Sequence, residues 1–374
     1  MSIAYFAHEL TDPAVQKRVK MLQAGGGDVA LLGFERQRFA DADQTPKPHV
    51  LGHTANGKLL ARVFSVLMAL PRAWRLRTVW GKADALLARN LEMLAIVTVL
   101  AALSGSRARI VYECLDIHRL MLKRGPVGAA MRGIERACLN HVTLLVTSSP
   151  AFERNYFRAM QGYQGDTLLV ENKVLALADA ERAPDSPPAT SPWTIAWCGV
   201  LRCRESLKLL RRLADEHGDL VRIELWGAPA LDQIPDFHEI LAGSAQMRFH
   251  GRYKPEDLPA IYGGAHFVWA VDYYEAGGNS DWLLPNRLYE GLFFGAPPIA
   301  VDGVETARWL KDNKVGVVLE PPLYDALARF LQSCTSETYA NLRKAAALVD
   351  VQSVAFTRES CRALTHRLAN GDAA

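Results

Sequence analysis

Arg287 and Glu290 are the charged side chains in the run from Leu284 to Ala300, and they stand three positions apart. That spacing puts a cation and a carboxylate on one face of a helix. Pro285 and Asn286 are helix-start residues, and Gly295 with Pro297 and Pro298 is a stop, so the helix between them runs about three turns at most. Its N-terminus adds free N–H groups and partial positive charge, which favour phosphate. The set suits a charged, hydroxyl-bearing ligand, although an ordinary surface Arg–Glu pair has the same spacing.

Other constellations carry chemistry of the same kind. Gly199-Val200-Leu201-Arg202-Cys203-Arg204 leaves an apolar strand and opens a helix. A glycine in such a turn lets backbone approach a phosphate, and arginines add bidentate charge-assisted bonds. Asp116 follows the apolar run Ile110–Cys114, where a carboxylate can take a proton from a hydroxyl or simply cap the next helix. His8, Glu9 and His118 are the fallback acid–base side chains. His250-Gly251-Arg252-Tyr253 leaves another strand, and Gly277–Asp281 reads as a flexible loop. No G-x-G-x-x-G stands at the first strand–helix turn and no G-x-x-x-x-G-K-[ST] occurs, so dehydrogenase and P-loop readings lack their main motifs.

These residues need strands that end near them. Ile3–Ala7, Val29–Phe34, Ala85–Ala88, Ile110–Cys114 and Thr143–Thr147 are continuous apolar runs, with helical periodicity between them, including a helix at Ala14–Gln23. Arg182–Pro192 is proline-rich and apolar-poor, a linker. The alternation then restarts with strands Thr194–Cys198, Val221–Trp226, Met247–His250, Phe267–Val271 and Ile299–Val301, and helices Glu205–His217 and Pro255–Tyr262. Apolar strands alternating with helices predict parallel sheets covered on both faces. The expected architecture is α/β, two doubly wound Rossmann-like domains at 1–181 and 193–351, facing across a cleft at the carboxyl ends of their strands. The last helical stretch, Glu337–Leu368, crosses back, so that residues from about 352 to 374 pack on the first domain.

The chain has 374 residues, 49% of them apolar, enough for two ordinary domains. Six scattered cysteines, without C-x-x-C or histidine clusters, argue against a disulfide framework or a zinc site and fit a reducing cytoplasm. The N-terminus does not read as a secretory signal, and the longest apolar stretch, Met93–Leu103, is too short to span a bilayer. Between Gln44 and Ala83 there is no acid, while Lys58, Arg62, Arg72, Arg75, Arg77 and Lys82 alternate with Leu59, Phe64, Leu67, Trp74 and Trp80. That composition predicts a helix in an anionic membrane interface, or else one with a buried apolar face and solvated cations. A nucleic-acid partner is not expected, since no binding motif accompanies the charge.

The two-domain alternation together with Pro285-Asn286-Arg287-Leu288-Tyr289-Glu290 resembles the GT-B glycosyltransferases, in particular bacterial exopolysaccharide enzymes of the succinoglycan and xanthan kind. The likeness covers nearly the whole chain, including Tyr5–His8 and Asp12–Val19 near the start. It implies that Glu290 bonds the ribose hydroxyls of a nucleotide-sugar donor, that Arg287 meets the diphosphate and that Asn286 fixes the loop before the helix. It further implies that Gly199, Arg202 and Arg204 hold the diphosphate, that Tyr253 lines the base pocket, and that Asp116, in a Tyr112-x-x-x-Asp116 arrangement, is the base. No cofactor or metal is implied; arginines and helix N-termini would neutralise the leaving diphosphate. Retaining members carry a second glutamate where this chain has Trp282, with Glu275 and Asp281 off register, so inversion is expected. The implied activity is transfer of a hexose or hexuronate, from a UDP-sugar, to a polyprenyl-diphosphate-linked saccharide at the inner leaflet. A nucleotide-sugar 2-epimerase and a non-catalytic partner of a polysaccharide complex are the competing readings.

Overall fold

The computed structural model describes residues 1–35, 46–53, 59–177 and 187–371, with the backbone alone over 59–64. It divides into two compact units, Met1–Glu171 with Phe356–Ala374, and Asn172–Ala355. The change of unit therefore falls at Glu171, ahead of the proline-rich stretch, whose residues 182–186 lie outside those described.

The first unit is built on β1 (Ser2–Ala7), β2 (Asp28–Glu35), β3 (His49–His53), β4 (Ala85–Arg89), β5 (Arg109–Cys114), β6 (Leu144–Thr147) and β7 (Thr167–Leu169). All neighbours are parallel, in the order β3-β2-β1-β4-β5-β6-β7. This is the Rossmann order, whose switch point lies between β1 and β4. Strands β1, β4 and β6 are buried almost throughout, as a sheet covered on both faces requires. On one face the helix Pro13–Ala24, capped by the Asp12 carboxylate on the Ala14 N–H at 2.8 Å, packs against the C-terminal helix Arg358–Asn370. The two meet where a Cβ on Gly25 would come within 2.3 Å of the Cys361 carbonyl, so glycine sets how closely they approach.

A two-stranded ladder, β8 (Val174–Leu175) with β15 (Ala355–Phe356), stands apart from the main sheets. The second unit repeats the Rossmann order in β9 (Trp193–Leu201), β10 (Val221–Pro229), β11 (Met247–Gly251), β12 (Phe267–Trp269), β13 (Pro298–Val301) and β14 (Val317–Leu319). Its sheet runs β11-β10-β9-β12-β13-β14, again parallel, with the switch point between β9 and β12. Three buried tryptophans, Trp193, Trp197 and Trp269, fill its core. The expected single stretch Glu337–Leu368 is instead two longer helices, Ser336–Leu348 and Arg358–Asn370, with the turn Val351–Val354 and strand β15 between them. Asp350 and Thr357 cap fresh helix starts there, which is why the chain breaks.

The first sheet encloses a charge. Glu113, at the end of β5, is fully buried and accepts from Arg18 Nε at 2.6 Å, Tyr5 Oη at 2.7 Å and Arg89 Nη1 at 3.3 Å. Burial alone would raise its carboxyl, but Arg18, Arg89 and the Tyr5 hydroxyl together hold it below the ordinary value. Removing one member of such a buried set leaves uncompensated charge, so Glu113→Ala is expected to cost about 3–5 kcal/mol in a urea titration. Because the folded carboxyl is depressed, its stabilisation is complete above the unfolded value and is lost as pH falls through the folded one. The Glu113→Gln variant, with nothing there to titrate, should lack this component of acid destabilisation; an unchanged acid profile would contradict the paired state.

Candidate functional site

In the second unit the helix Asn286–Phe293 follows Pro285, whose ring suits the non-helical backbone before the first turn. Leu288, Tyr289, Leu292 and Phe293 are buried and fasten it beneath β12 and β13, while Asn286 is exposed. On the remaining face Glu290 accepts a 2.7 Å hydrogen bond from the buried Tyr262 hydroxyl. Tyr253 belongs to the same group: burial first, then Glu290 and Cys198, push its hydroxyl above the ordinary value, against Arg287. Burial likewise pushes the Cys198 thiol up to about 12, with the Tyr262 hydrogen bond opposing and Glu290 adding to it.

Arg287 reaches the strand ends. Its Nη2 donates to the Val271 carbonyl at 3.0 Å, just past β12, and its Nε is buried with no hydrogen bond among the described residues. The next residue, Asp272, lies 3.8 Å from Arg202 Nη2, and the Arg202 guanidinium stacks 4.7 Å from the centre of the Tyr274 ring. Arg202 and Arg287 thus meet on consecutive residues of one loop, at the switch point of the sheet. Gly199 lies on the adjoining strand with φ of 117°, open to space. Its partner in register is Gly227, where a Cβ would fall 1.7 Å from the Gly199 carbonyl, so the β9 and β10 ends need glycine at both positions. Arg204 turns elsewhere: both its Nη atoms bond the two oxygens of Asp236.

Sequence reasoning missed a further feature of this edge. Trp226 and His250, at the ends of β10 and β11, stack with ring centres 3.8 Å apart and planes within 5°. His250 also pairs with Glu224. An aromatic at the end of two strands was the available signal.

In the first unit a cavity of about 210 Å³ is lined by Asp116, His8, His118, Tyr112 and Glu135, among others. Asp116 is exposed there, and its carbonyl accepts from Cys114 Sγ at 3.4 Å. The helix cap that Asp116 was equally suited to make falls to His118, whose Nδ1 accepts from the Leu120 N–H. Glu9 accepts from the Thr11 hydroxyl at 2.7 Å, and His8 lies 3.8 Å from Asp12. Glu135 was not anticipated. It is buried and accepts from the hydroxyls of Tyr112 and Tyr156 and from Gln161, the first at 2.8 Å. Burial raises its carboxyl above the ordinary value, against those three donors. Among the described residues no His, Cys, Asp or Glu group is arranged to hold a metal ion.

No family model matches the chain. Over 377 aligned residues it is 43% identical to the succinoglycan biosynthesis protein ExoL of Rhizobium meliloti, covering 99% of this chain and 93% of ExoL. The chain belongs to the ExoL family. Solved structures agree on the architecture of this ExoL relative. It resembles sucrose-phosphate synthase from Thermosynechococcus elongatus with a TM-score of 0.72 at 16% identity, covering 98% of each chain. It resembles Anabaena HepE in complex with UDP with a TM-score of 0.66 at 13% identity, covering 99% of this chain and 96% of HepE. The lipopolysaccharide glycosyltransferase WaaG matches with the same TM-score of 0.66 at 13% identity, covering 99% of this chain and 100% of WaaG. At such identities the likeness fixes the fold, which is GT-B.

Tyr262→Phe keeps the ring that stacks on Phe294 and removes the donor to Glu290. It is expected to lower unfolding free energy by about 1 kcal/mol, read by urea denaturation. A loss of zero would mean that Glu290 is held by other contacts.

Proposed function

We propose that this ExoL-family chain is a glycosyltransferase that moves a hexose or hexuronate from a UDP-sugar to a polyprenyl-diphosphate-linked saccharide, with inversion and without a metal. The observation that carries the reading is the convergence of Glu290, Arg287 and Arg202 at the switch point of the second sheet. A ribose presents vicinal hydroxyls that a carboxylate accepts, and a diphosphate presents oxygens that guanidinium groups bind in pairs. Relatives support the substrate class: ExoL is named for succinoglycan biosynthesis, and HepE has been crystallised with UDP and with UDP-glucose.

In this mechanism Glu290 orients the donor through its ribose, and Tyr253 borders the nucleobase. Arg287, Arg202, Gly199 and the start of the Asn286–Phe293 helix surround the diphosphate, with Asn286 shaping the approach. Arg204, held by Asp236, braces the loop rather than reaching the phosphate. Asp116 takes the proton from the acceptor hydroxyl, the oxygen bonds the anomeric carbon, and the bond from that carbon to the diphosphate oxygen breaks. The arginines receive the charge that develops on the leaving group. The acceptor's lipid places the enzyme at the cytoplasmic face of the inner membrane, which it contacts through the basic stretch Lys58–Lys82; Lys58 itself lies outside the described residues.

Two substitutions separate the roles. Glu290→Ala is expected to weaken UDP binding by about 1–3 kcal/mol, roughly 5- to 150-fold in Kd by calorimetry. Undiminished affinity would remove Glu290 from the ribose. Asp116→Asn is expected to leave that affinity unchanged and slow transfer by about 10²- to 10⁴-fold. Full activity would eliminate Asp116 as the base. Incubation of the enzyme with UDP-sugar alone should return no epimer, which distinguishes transfer from 2-epimerisation.

A further inference from the structure

The helix Pro126–Leu139 is patterned inside out. Its only carboxylate, Glu135, is buried, whereas Val127 and Ile134 stand 47% and 53% exposed. Ala130 and Ala137 are exposed as well, so Val127, Ala130, Ile134 and Ala137 repeat at helical spacing along the outer surface. Scattered exposed apolar side chains need no explanation, but a continuous stripe on one helix does.

The stripe has neighbours. The helix Asn90–Ser104 packs against Pro126–Leu139 and also against Leu59–Arg75, so the three lie side by side. Each adds bulky apolar groups to solvent: Leu103 is 69% exposed on the middle helix, and Leu67 is 58% exposed on the outer one, beside Met68. None of the three presents an exposed acid. Glu92, at the start of the middle helix, is half-buried against the cavity, and Glu135 is inside. Exposed cations are abundant by contrast, with Arg72 and Arg75 on the first helix, Arg107 after the second, and Lys123 and Arg124 immediately before the third.

We infer that the outer surfaces of these three helices form one docking face for an anionic bilayer, and that Pro126–Leu139 supplies its apolar contact. The inference rests on the membrane reading of Lys58–Lys82 and deepens it by assigning insertion to a helix outside that stretch. Apolar side chains on helices that expose no acid lose water favourably at the acyl boundary, and the surrounding Lys and Arg groups meet anionic headgroups. None of the described helices is long and apolar enough to cross a membrane, so the contact is lateral. An acidic protein partner would match the cations but would leave the Val127–Ala137 stripe, which carries no donor or acceptor side chain, without complementary chemistry.

The test is co-sedimentation of the full chain with phosphatidylcholine vesicles, with and without phosphatidylglycerol. The parent is expected to bind the anionic vesicles and to release as salt is raised. The double variant Val127→Ser, Ile134→Ser changes no charge, and is expected to lose about tenfold or more in partitioning while keeping UDP affinity and thermal midpoint. The pair Arg72→Gln, Arg75→Gln should lose binding chiefly at low salt. Partitioning of Val127→Ser, Ile134→Ser equal to the parent would overturn the inference and leave the basic stretch as the sole contact. Absence of vesicle binding by the parent would overturn both. Self-association of the free chain in sedimentation velocity, abolished by Val127→Ser, Ile134→Ser, would assign the face to a second copy instead and likewise overturn it.

Discussion

Both units are parallel sheets whose central strands are buried, and that burial constrains where polar chemistry can stand. Side chains in the strand interiors face packed helices, as β1 and β4, buried almost throughout, show, so an uncompensated charge there carries a large desolvation cost. At the carboxyl ends the backbone leaves the ladder, N–H groups become available, and charged side chains can reach solvent. The switch points concentrate this effect because neighbouring connections depart in opposite directions. Asp116 stands just past such an end in the first unit, and Gly199, Arg202 and Asp272 stand at such ends in the second. The candidate residues are therefore collected by the sheet topology and not by proximity along the chain.

The first unit shows two ways of burying a carboxylate. Glu113 is matched by two guanidinium groups and a tyrosine hydroxyl, and its carboxyl is held below the ordinary value. Glu135 has three neutral donors from Tyr112, Tyr156 and Gln161, and burial prevails, raising it. Cations compensate desolvation by Coulomb attraction, whereas neutral donors supply hydrogen bonds alone. The first arrangement ties β1, β5 and the helix Pro13–Ala24 together across the sheet. The second ties β5 to the helix Pro126–Leu139 and to the π-helical turn Phe152–Arg158, beside the cavity that contains Asp116.

Long apolar runs made most strands legible in the sequence: β1, β2, β5, β9 and β10 were expected within a few residues of where they lie. Strands β3, β7 and β14 were not, because His49–His53 opens and closes on polar residues, and the other two are three-residue runs set close to acids, with Asp166 before β7 and Glu320 after β14. Within the second unit, Arg287 and Glu290 were legible because three-residue spacing on a helix is a local signal. The partners that give them context, Tyr262 and Val271, come from elsewhere in the chain and had no such signal. Glu135 was hidden for a sharper reason. Between Ile134 and Arg136 it reads as a solvated helix position, and the pattern inverts only because Tyr112 and Tyr156 lie inward to receive it.

The residues before the helix Asn286–Phe293 bear on the stereochemistry of the proposed transfer. Where retaining enzymes of this fold class place a second glutamate, the chain has Trp282, the last residue of the short helix Asn279–Trp282. Asp281 does not substitute for it freely, since its Oδ2 accepts from the Gly277 N–H at 3.0 Å and so closes its own loop. The Ser280 hydroxyl makes a second closure, accepting from the Glu275 N–H at 2.8 Å. A loop fastened twice from within holds its polar groups on itself, and a tryptophan side chain supplies no carboxylate to a sugar. A single displacement needs no carboxylate on the donor side; it needs a base for the acceptor, the role proposed for Asp116, which is exposed in the first unit's cavity. For the proposed transfer, the reading that favours inversion divides the labour between the Arg287 and Arg202 pair of the second unit and the acid–base groups that line the cavity of the first.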